Sequence, residues 1–320
     1  MRQITFCEAL REGLSQEMDL DSSVFVYGIG VHDKNAVFGS LDGIFERFGS
    51  DRCRDTPISE DTMTGVGIGA ALAGMRPVHV HIRVDFLLLA MNQIANSMSI
   101  LAYNTAGAIS VPIVIRVVIG RGWGQGSQHS KSMMANFARI PGLKVIAPTT
   151  PRDAKGMLIS AIRDNNPVIC FEHRWLYWQK GECELEPFTV ELGRASVLKE
   201  GTQLTIIAIS WMNVEAIQAR DMLQKYHGIS AEVIDVRSLS PIDWDTILAS
   251  VRKTKRCLVA ENDWLMCGIS AEIATKVYEE LGDGLLGSVS RVGFAPSPCP
   301  ITHRQVLRIP WSQFRQKYHT

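Results

Sequence analysis

The feature that most constrains this chain is an alternation. Short runs rich in Val and Ile recur between stretches whose apolar residues follow helical spacing. The first half holds "SSVFVYGIG" (22–30), "MRPVHVHI" (75–82), "VPIVIRVVIG" (111–120), "LKVIAP" (143–148) and "NPVICFEH" (166–173). The third is β-branched and continuous, as a strand covered on both faces should be. Between the runs lie "ITFCEALREGLSQEM" and "TPRDAKGMLISAIRDN", the second opened by Thr-Pro as a helix start. Strand, helix, strand in repetition predicts an α/β fold with a parallel sheet and helices on both faces.

The alternation lapses in "WQKGECELEPFTVEL" (178–192), which reads as a linker, and then resumes. Strands are expected at "QLTIIAIS", "SAEVIDV" and "RCLVAEN", and helices at "NVEAIQARDMLQKY", "DWDTILASVRKT" and "GISAEIATKVYEEL". Two α/β domains are therefore expected, at 1–185 and 186–320. A chain of 320 residues has room for both.

Composition excludes several partners. Lys plus Arg and Asp plus Glu both number 33, so no net field recruits nucleic acid or an anionic membrane. The apolar stretch "DFLLLAMNQIANSMSILAY" (85–103) carries Asn92, Gln93, Asn96 and two serines, which are costly in lipid; it is expected to be a buried helix at a core or subunit contact. The N-terminal segment does not read as a signal peptide. The seven cysteines are scattered without a CxxC pair, which predicts reduced thiols in a cytoplasmic setting rather than a disulfide frame or zinc site.

Two glycine clusters carry the chemistry. "GVGIGA" (65–70) fits the dinucleotide fingerprint, but that fingerprint requires a strand leading straight into the turn, and "DTPISEDTMT" is not one. The cluster reads better as a helix with a smooth face at Gly65 and Gly69, open to close approach by a backbone or a flat ligand. Ser59 is a candidate N-cap, which puts Glu60 in the first turn. There Glu60 is either a favourable partner of the helix dipole or a proton donor to a ring nitrogen. The second cluster, "IGRGWGQGSQHSKS" (119–132), follows a strand but lacks the GK[ST] of a phosphate loop. It presents His129 beside Ser130 and Lys131 on a loop of the kind that carries function. His79 and His81 alternate on one strand and share a face. With no third ligand in view, a structural role is expected.

Together, "RDTPISEDTMTGVGIGAALAGMRPV", "DFLLLAMNQIANS", "VPIVIR", "GSQHSKS", "PGLKVIAPTTPRDAKGMLISAIRDNNPV" and "EVIDVRSLSPIDWDTILASVRKTKR" resemble the beta subunit of thiamine diphosphate-dependent 2-oxo acid dehydrogenases, in the same order and over nearly the whole chain. The resemblance implies a transketolase-like pyrimidine-binding domain followed by a transketolase C-terminal-like domain. It implies that Glu60 bonds N1′ of the cofactor's aminopyrimidine and, by proton exchange there, activates the cofactor for attack on the substrate carbonyl. It places Phe86 against the aminopyrimidine ring. It gives His129 a part either in steadying the intermediate or in handling protons during acyl transfer to a lipoyl group. It further implies a potassium site at Ile113, Ala161, Ile162, Asp164 and Asn166.

The family's diphosphate and magnesium are held by a GDG…N motif on a separate alpha subunit. The GDG here (282–284) comes late and lacks the Asn, so it reads as a turn. The chain is thus expected to hold half a cofactor site and to work in an alpha2beta2 heterotetramer, delivering acyl groups to a lipoyl acyltransferase core. Three stretches depart from the family pattern at places that bear on the substrate. These are Arg83 in "HIRVDF", where relatives are usually less charged, Arg121 and Trp123 in the loop before His129, and the tail "GFAPSPCPITHRQVLRIP". Two other readings stay open. One is a split transketolase-like or carboligase subunit that passes an acyl or two-carbon unit to an aldehyde. The other is a non-catalytic α/β binding module.

Overall fold

The computed structural model describes residues 1–299, so most of the divergent tail lies outside the described residues. In chain order the strands are β1 (Arg2–Thr5), β2 (Val24–Gly28), β3 (Cys53–Asp55), β4 (Arg76–His81), β5 (Val114–Ile119), β6 (Lys144–Ile146), β7 (Val168–His173), β8 (Lys180–Cys183), β9 (Ser196–Lys199), β10 (Leu204–Ala208), β11 (Ala231–Asp235), β12 (Ser238–Ser240), β13 (Cys257–Trp264) and β14 (Ser290–Phe294). Two sheets dominate. The first runs β12-β6-β7-β5-β4-β2-β3 and is parallel except where β12 pairs with β6. The second runs β14-β13-β10-β11-β9 and is parallel except at β9. The expected α/β fold with two parallel sheets is what forms.

Every residue of β2, β5 and β7 is buried, because helices cover both faces. The helix Phe6–Leu20 starts at a capping box in which Thr5 and Glu8 satisfy each other's backbone donors. It lies against the helix Pro151–Arg163, where Gly13 leaves room for the aliphatic stem of Lys155.

Two expectations need correction, and a third feature was not anticipated. The stretch read as a linker is fastened. Its residues 180–183 form β8, which pairs antiparallel with β1, and the fully buried Lys155 ammonium donates to the carbonyls of Glu184, Leu185 and Glu186 at 2.9, 2.8 and 3.0 Å. The apolar stretch is not one buried helix. From Val84 to Asn104 the backbone passes through short α, 3-10 and π turns. Only one face, Val84, Leu87, Ala90, Ile94 and Met98, enters the core; Leu89 and Tyr103 stay exposed. Third, β12 belongs by sequence to the second half but completes the first sheet, so the halves share an edge.

The glycine-rich helix spans Glu60–Leu72, and its glycines sit inside the helix rather than at a strand–helix turn, as the rejection of the dinucleotide reading requires. Ser59 occupies the N-cap position, yet its side chain makes no capping hydrogen bond. The crowded glycine is Gly67, not Gly65 or Gly69. A Cβ on Gly67 would come within 1.9 Å of the Tyr27 hydroxyl and 2.9 Å of Ile113 Cδ1, whereas nothing lies within 4 Å of one on Gly69. Tyr27 donates to the carbonyl of Met63 in the same helix at 3.1 Å, so Gly67 sets how closely the helix meets β2. Gly67→Ala is therefore expected to destabilise the chain by about 1–3 kcal/mol, the usual cost of overpacking, while Gly69→Ala, at an open helical position, is expected to stabilise it by up to about 1 kcal/mol. Urea unfolding of the two variants checks this.

Candidate active site

A cavity of about 410 Å3 opens beyond the carboxyl ends of β2, β3, β4 and β5. This is where ligands bind in open parallel sheets. Ile29 follows β2. Thr56 to Glu60 lead from β3 into the glycine-rich helix. His81, Ile82 and Arg83 end β4, and Gln125 and His129 come from the loop after β5. The residues singled out by sequence thus converge from four connections.

Glu60 is the first residue of its helix and only 9% exposed. Among the described residues no hydrogen bond or ion pair engages its carboxylate, which borders the cavity. Phe86 and His129 border the same cavity. Their rings meet edge to face at 5.1 Å and 73°. His129 Nδ1 is buried without a hydrogen-bond partner. Lys131, next in that loop, pairs with Asp85 at 2.7 Å and ties the loop to the segment carrying Phe86. Ser132 donates to the Asn262 carbonyl at 2.6 Å, and Met134 N donates to Asp263 Oδ2 at 3.1 Å, so the second domain anchors the far end of the loop.

Behind this front lies a column of stacked rings. Tyr27 stacks on His79 at 4.2 Å, and His79 Nδ1 lies 3.2 Å from His81 Nε2. Burial drives the basicity of His79 far down, helped by the neighbouring His81, and pushes His81 down to about 4. Both imidazoles are neutral at neutral pH and share a hydrogen bond. They support the cavity wall, and no third His, Cys, Asp or Glu joins them among the described residues.

The cavity fits a flat aminopyrimidine on two counts. Ile29, Met63, Ile82 and Phe86 supply apolar walls, and Glu60 is a buried, unengaged carboxylate facing them. The candidate potassium ligands lie elsewhere, where the helix Pro151–Arg163 ends. The carbonyls of Ile162 and Asp164 accept from Arg76 Nη1 at 2.9 and 3.0 Å. The Ala161 carbonyl accepts from Asp164 N at 3.3 Å, and that of Ile113 from Val168 N at 3.0 Å. The Asp164 carboxylate accepts from Lys144 and from Asn166 N and Nδ2. A cation there would share its oxygens with Arg76.

Sequence reasoning noticed Arg83 only as a departure. The structure makes it a cavity residue, 3% exposed and hydrogen-bonded to Gln125 at 2.5 Å. A finer reading of "HIRVDF" could have found it, since Arg83 continues the alternation of His79 and His81 one step past the strand.

Comparison with known proteins shows the family of the chain. The family described as "Transketolase, pyrimidine binding domain" matches residues 2–179, and "Transketolase, C-terminal domain" matches 193–308. The chain is 41% identical over 303 residues to "Pyruvate dehydrogenase E1 component subunit beta-2, mitochondrial" of Oryza sativa subsp. japonica, covering 93% of this chain and 80% of that one. It is 38% identical over 311 residues to "Pyruvate dehydrogenase E1 component subunit beta" of Bacillus subtilis, covering 97% and 95%. A solved structure, "Split gene transketolase, inactive beta4 tetramer", superposes with a TM-score of 0.75 over 98% of each chain; at 22% identity this bears on the fold alone. The chain belongs to the family of beta subunits of thiamine diphosphate-dependent 2-oxo acid dehydrogenases, built from a transketolase pyrimidine-binding domain and a transketolase C-terminal domain.

Proposed function

We propose that this chain contributes the proton-handling half of a 2-oxo acid dehydrogenase site that a separate alpha subunit completes, with 2-oxo acids as the substrate class. One observation carries the reading: Glu60, a buried residue whose carboxylate has no partner among the described residues, lines the same apolar-walled cavity as the Phe86–His129 pair. Thiamine diphosphate, when bound, supplies the electron sink that makes loss of carbon dioxide from a 2-oxo acid feasible. Glu60 holds and returns a proton at the aminopyrimidine N1′. Phe86 and Met63 orient the ring and keep water from it. His129, which lines the cavity and whose Nδ1 has no hydrogen-bond partner among the described residues, moves a proton as the acyl group passes to one sulfur of an oxidised lipoyl disulfide on an acyltransferase core, whose other sulfur leaves as the thiol.

The rest of the assembly belongs to the same proposal. The alpha subunit holds the diphosphate and magnesium, since no GDG…N motif lies near this cavity. An alpha2beta2 heterotetramer would cover the exposed face of 84–104 and the open side of Gly69. The division at 1–185 and 186–320 is supported by the unmatched gap between the two family segments. A cytoplasmic, reducing location is supported by the scatter of the seven cysteines along the sequence, without a CxxC pair. Potassium bound by carbonyls near Ile113, Ala161, Ile162, Asp164 and Asn166 would act structurally, beside Arg76.

The chain, co-expressed with its alpha subunit and given thiamine diphosphate and magnesium, is expected to reduce a dye with pyruvate, 2-oxobutanoate or acetoin. Glu60→Gln is expected to leave assembly intact and to lower turnover by about 10²–10⁴-fold, the usual share of general acid–base catalysis. Near-normal turnover would remove Glu60 from the mechanism. His129→Ala is expected to impair acyl transfer to lipoamide more than dye reduction; equal losses would count against the transfer role. Potassium chloride in place of sodium chloride is expected to raise the melting temperature of the complex, and identical values would dismiss the ion site.

A further inference from the structure

Beside Glu60 and His129 the cavity wall carries a positive charge that makes no hydrogen bond or ion pair to a carboxylate among the described residues, although Asp85 lies near enough to favour it. Arg83 is only 3% exposed, yet its side chain's only hydrogen bond among the described residues goes to the neutral amide oxygen of Gln125. Its Nε and Nη1 are buried without partners. The nearby carboxylate of Asp85 is engaged by Lys131. A second guanidinium stands close. Arg174 stacks on Phe38 at 3.8 Å and on Trp123 at 4.0 Å, and Arg83 lies 5.4 Å from the same Phe38 ring. Arg174 Nε is likewise buried and unpartnered. Aromatic faces hold these charges in place but supply no counter-ion. Burial first, and then repulsion from Arg174, pull the Arg83 guanidinium down to about 10. A buried, under-bonded cation beside an open cavity is costly unless a ligand repays it.

We propose that Arg83, backed by Arg174, is the anion-recognition residue of this cavity, and that the substrate it selects carries an oxyanion, a carboxylate or a phosphate, remote from the reacting carbonyl. The inference rests on the proposed 2-oxo acid chemistry and narrows its substrate. The anion must be remote for an energetic reason. The carboxylate that leaves as carbon dioxide loses its charge in the transition state, so an ion pair to it would stabilise the ground state and raise the barrier. A permanent anion elsewhere on the substrate keeps its charge throughout, and binding it anchors the substrate without that penalty. Arg83 has unpartnered donors at Nε and Nη1, and release of Nη2 from Gln125 would complete the planar fork that suits a carboxylate or phosphate. Gln125, on an exposed loop between Gly124 and Gly126, is the group an incoming oxyanion would displace.

The test uses the assembled alpha–beta complex with its cofactor. Its substrates are 2-oxobutanoate (neutral chain), 2-oxoglutarate (distal carboxylate), and pyruvate with glyceraldehyde 3-phosphate as acceptor (distal phosphate). The wild type is expected to favour one of the anionic substrates. In Arg83→Met the ratio of kcat/KM for that substrate to kcat/KM for 2-oxobutanoate is expected to fall at least about 30-fold, the lower end for losing one partner of a buried charge pair. The loss should lie in KM, with partial recovery in Arg83→Lys. Preference for 2-oxoglutarate assigns a carboxylate-bearing donor, and preference for the phosphorylated aldehyde assigns a phosphate-bearing acceptor. An unchanged ratio with 2-oxo acid turnover intact overturns the anion site and leaves the proposed function standing. If no 2-oxo acid is turned over, calorimetric titration of the complex with glutarate and glycerol 3-phosphate still decides. Binding lost in Arg83→Met supports the site, and equal or absent binding in both proteins overturns it. Equal melting temperatures of the variants separate these outcomes from misfolding.

Discussion

The close approach of the helix Glu60–Leu72 to the first sheet is the constraint on which the site depends. It exists because position 67 has no side chain: the Tyr27 hydroxyl occupies the space a Cβ would take and bonds the helix backbone at Met63. The same Tyr27 ring stacks on His79, which bonds His81. One column of contacts therefore fixes the helix against β2 and β4 together. With the helix held there, its first residue cannot be anywhere but at the mouth of the sheet. Glu60 owes its burial to this packing rather than to its neighbours in sequence. A lone helix with glycines at 65, 67 and 69 would be a poor helix, since each costs roughly 1 kcal/mol relative to Ala. Tertiary packing supplies what propensity lacks.

The second sheet does more than add mass. Residues 262 and 263 at the end of β13 hold the far side of the His129 loop through Ser132 and Met134. Strand β12 completes the first sheet, and Arg237, beside it, pairs with Asp153 at the start of the helix Pro151–Arg163. The two α/β units thus meet through hydrogen bonds as well as apolar contact, and the loop carrying His129 is spanned between them. A loop with four glycines gains a defined position because both ends are tied to rigid strands.

The first sheet also contains a charge pair that a reading of apolar runs passes over. Arg116 in β5 and Glu172 in β7 are fully buried, with nitrogen–oxygen distances of 2.6 and 3.0 Å, and Tyr177 donates to the same carboxylate at 2.6 Å. Each strand looks hydrophobic in sequence, and each carries one charge that only its neighbour makes tolerable. Arg83 differs. It too is buried, but it lines a cavity, and no carboxylate bonds its guanidinium among the described residues. Arg116 also leaves one nitrogen unpartnered, so the contrast lies in the carboxylate that Arg116 has and Arg83 lacks.

The sequence by itself determined the class of fold, because period-two and continuous β-branched runs alternating with helical spacing leave few arrangements other than parallel sheets covered by helices. It also singled out Glu60, Phe86 and His129, through motifs whose order is shared with a family. It did not reveal that the 178–192 stretch is bolted down by Lys155, nor that the apolar run at 84–104 buries only one face, nor that Gly67 is the crowded glycine. Those are long-range facts: each depends on which surface another element presents, and local pattern carries no record of that. Tertiary structure alone decided that rings 43 residues apart meet at 5.1 Å, that Arg76 bonds two of the carbonyls read as ion ligands, and that Arg83 lines the cavity with two nitrogens unpartnered among the described residues. Local sequence sets the period of each element; the meeting of elements sets what each side chain touches.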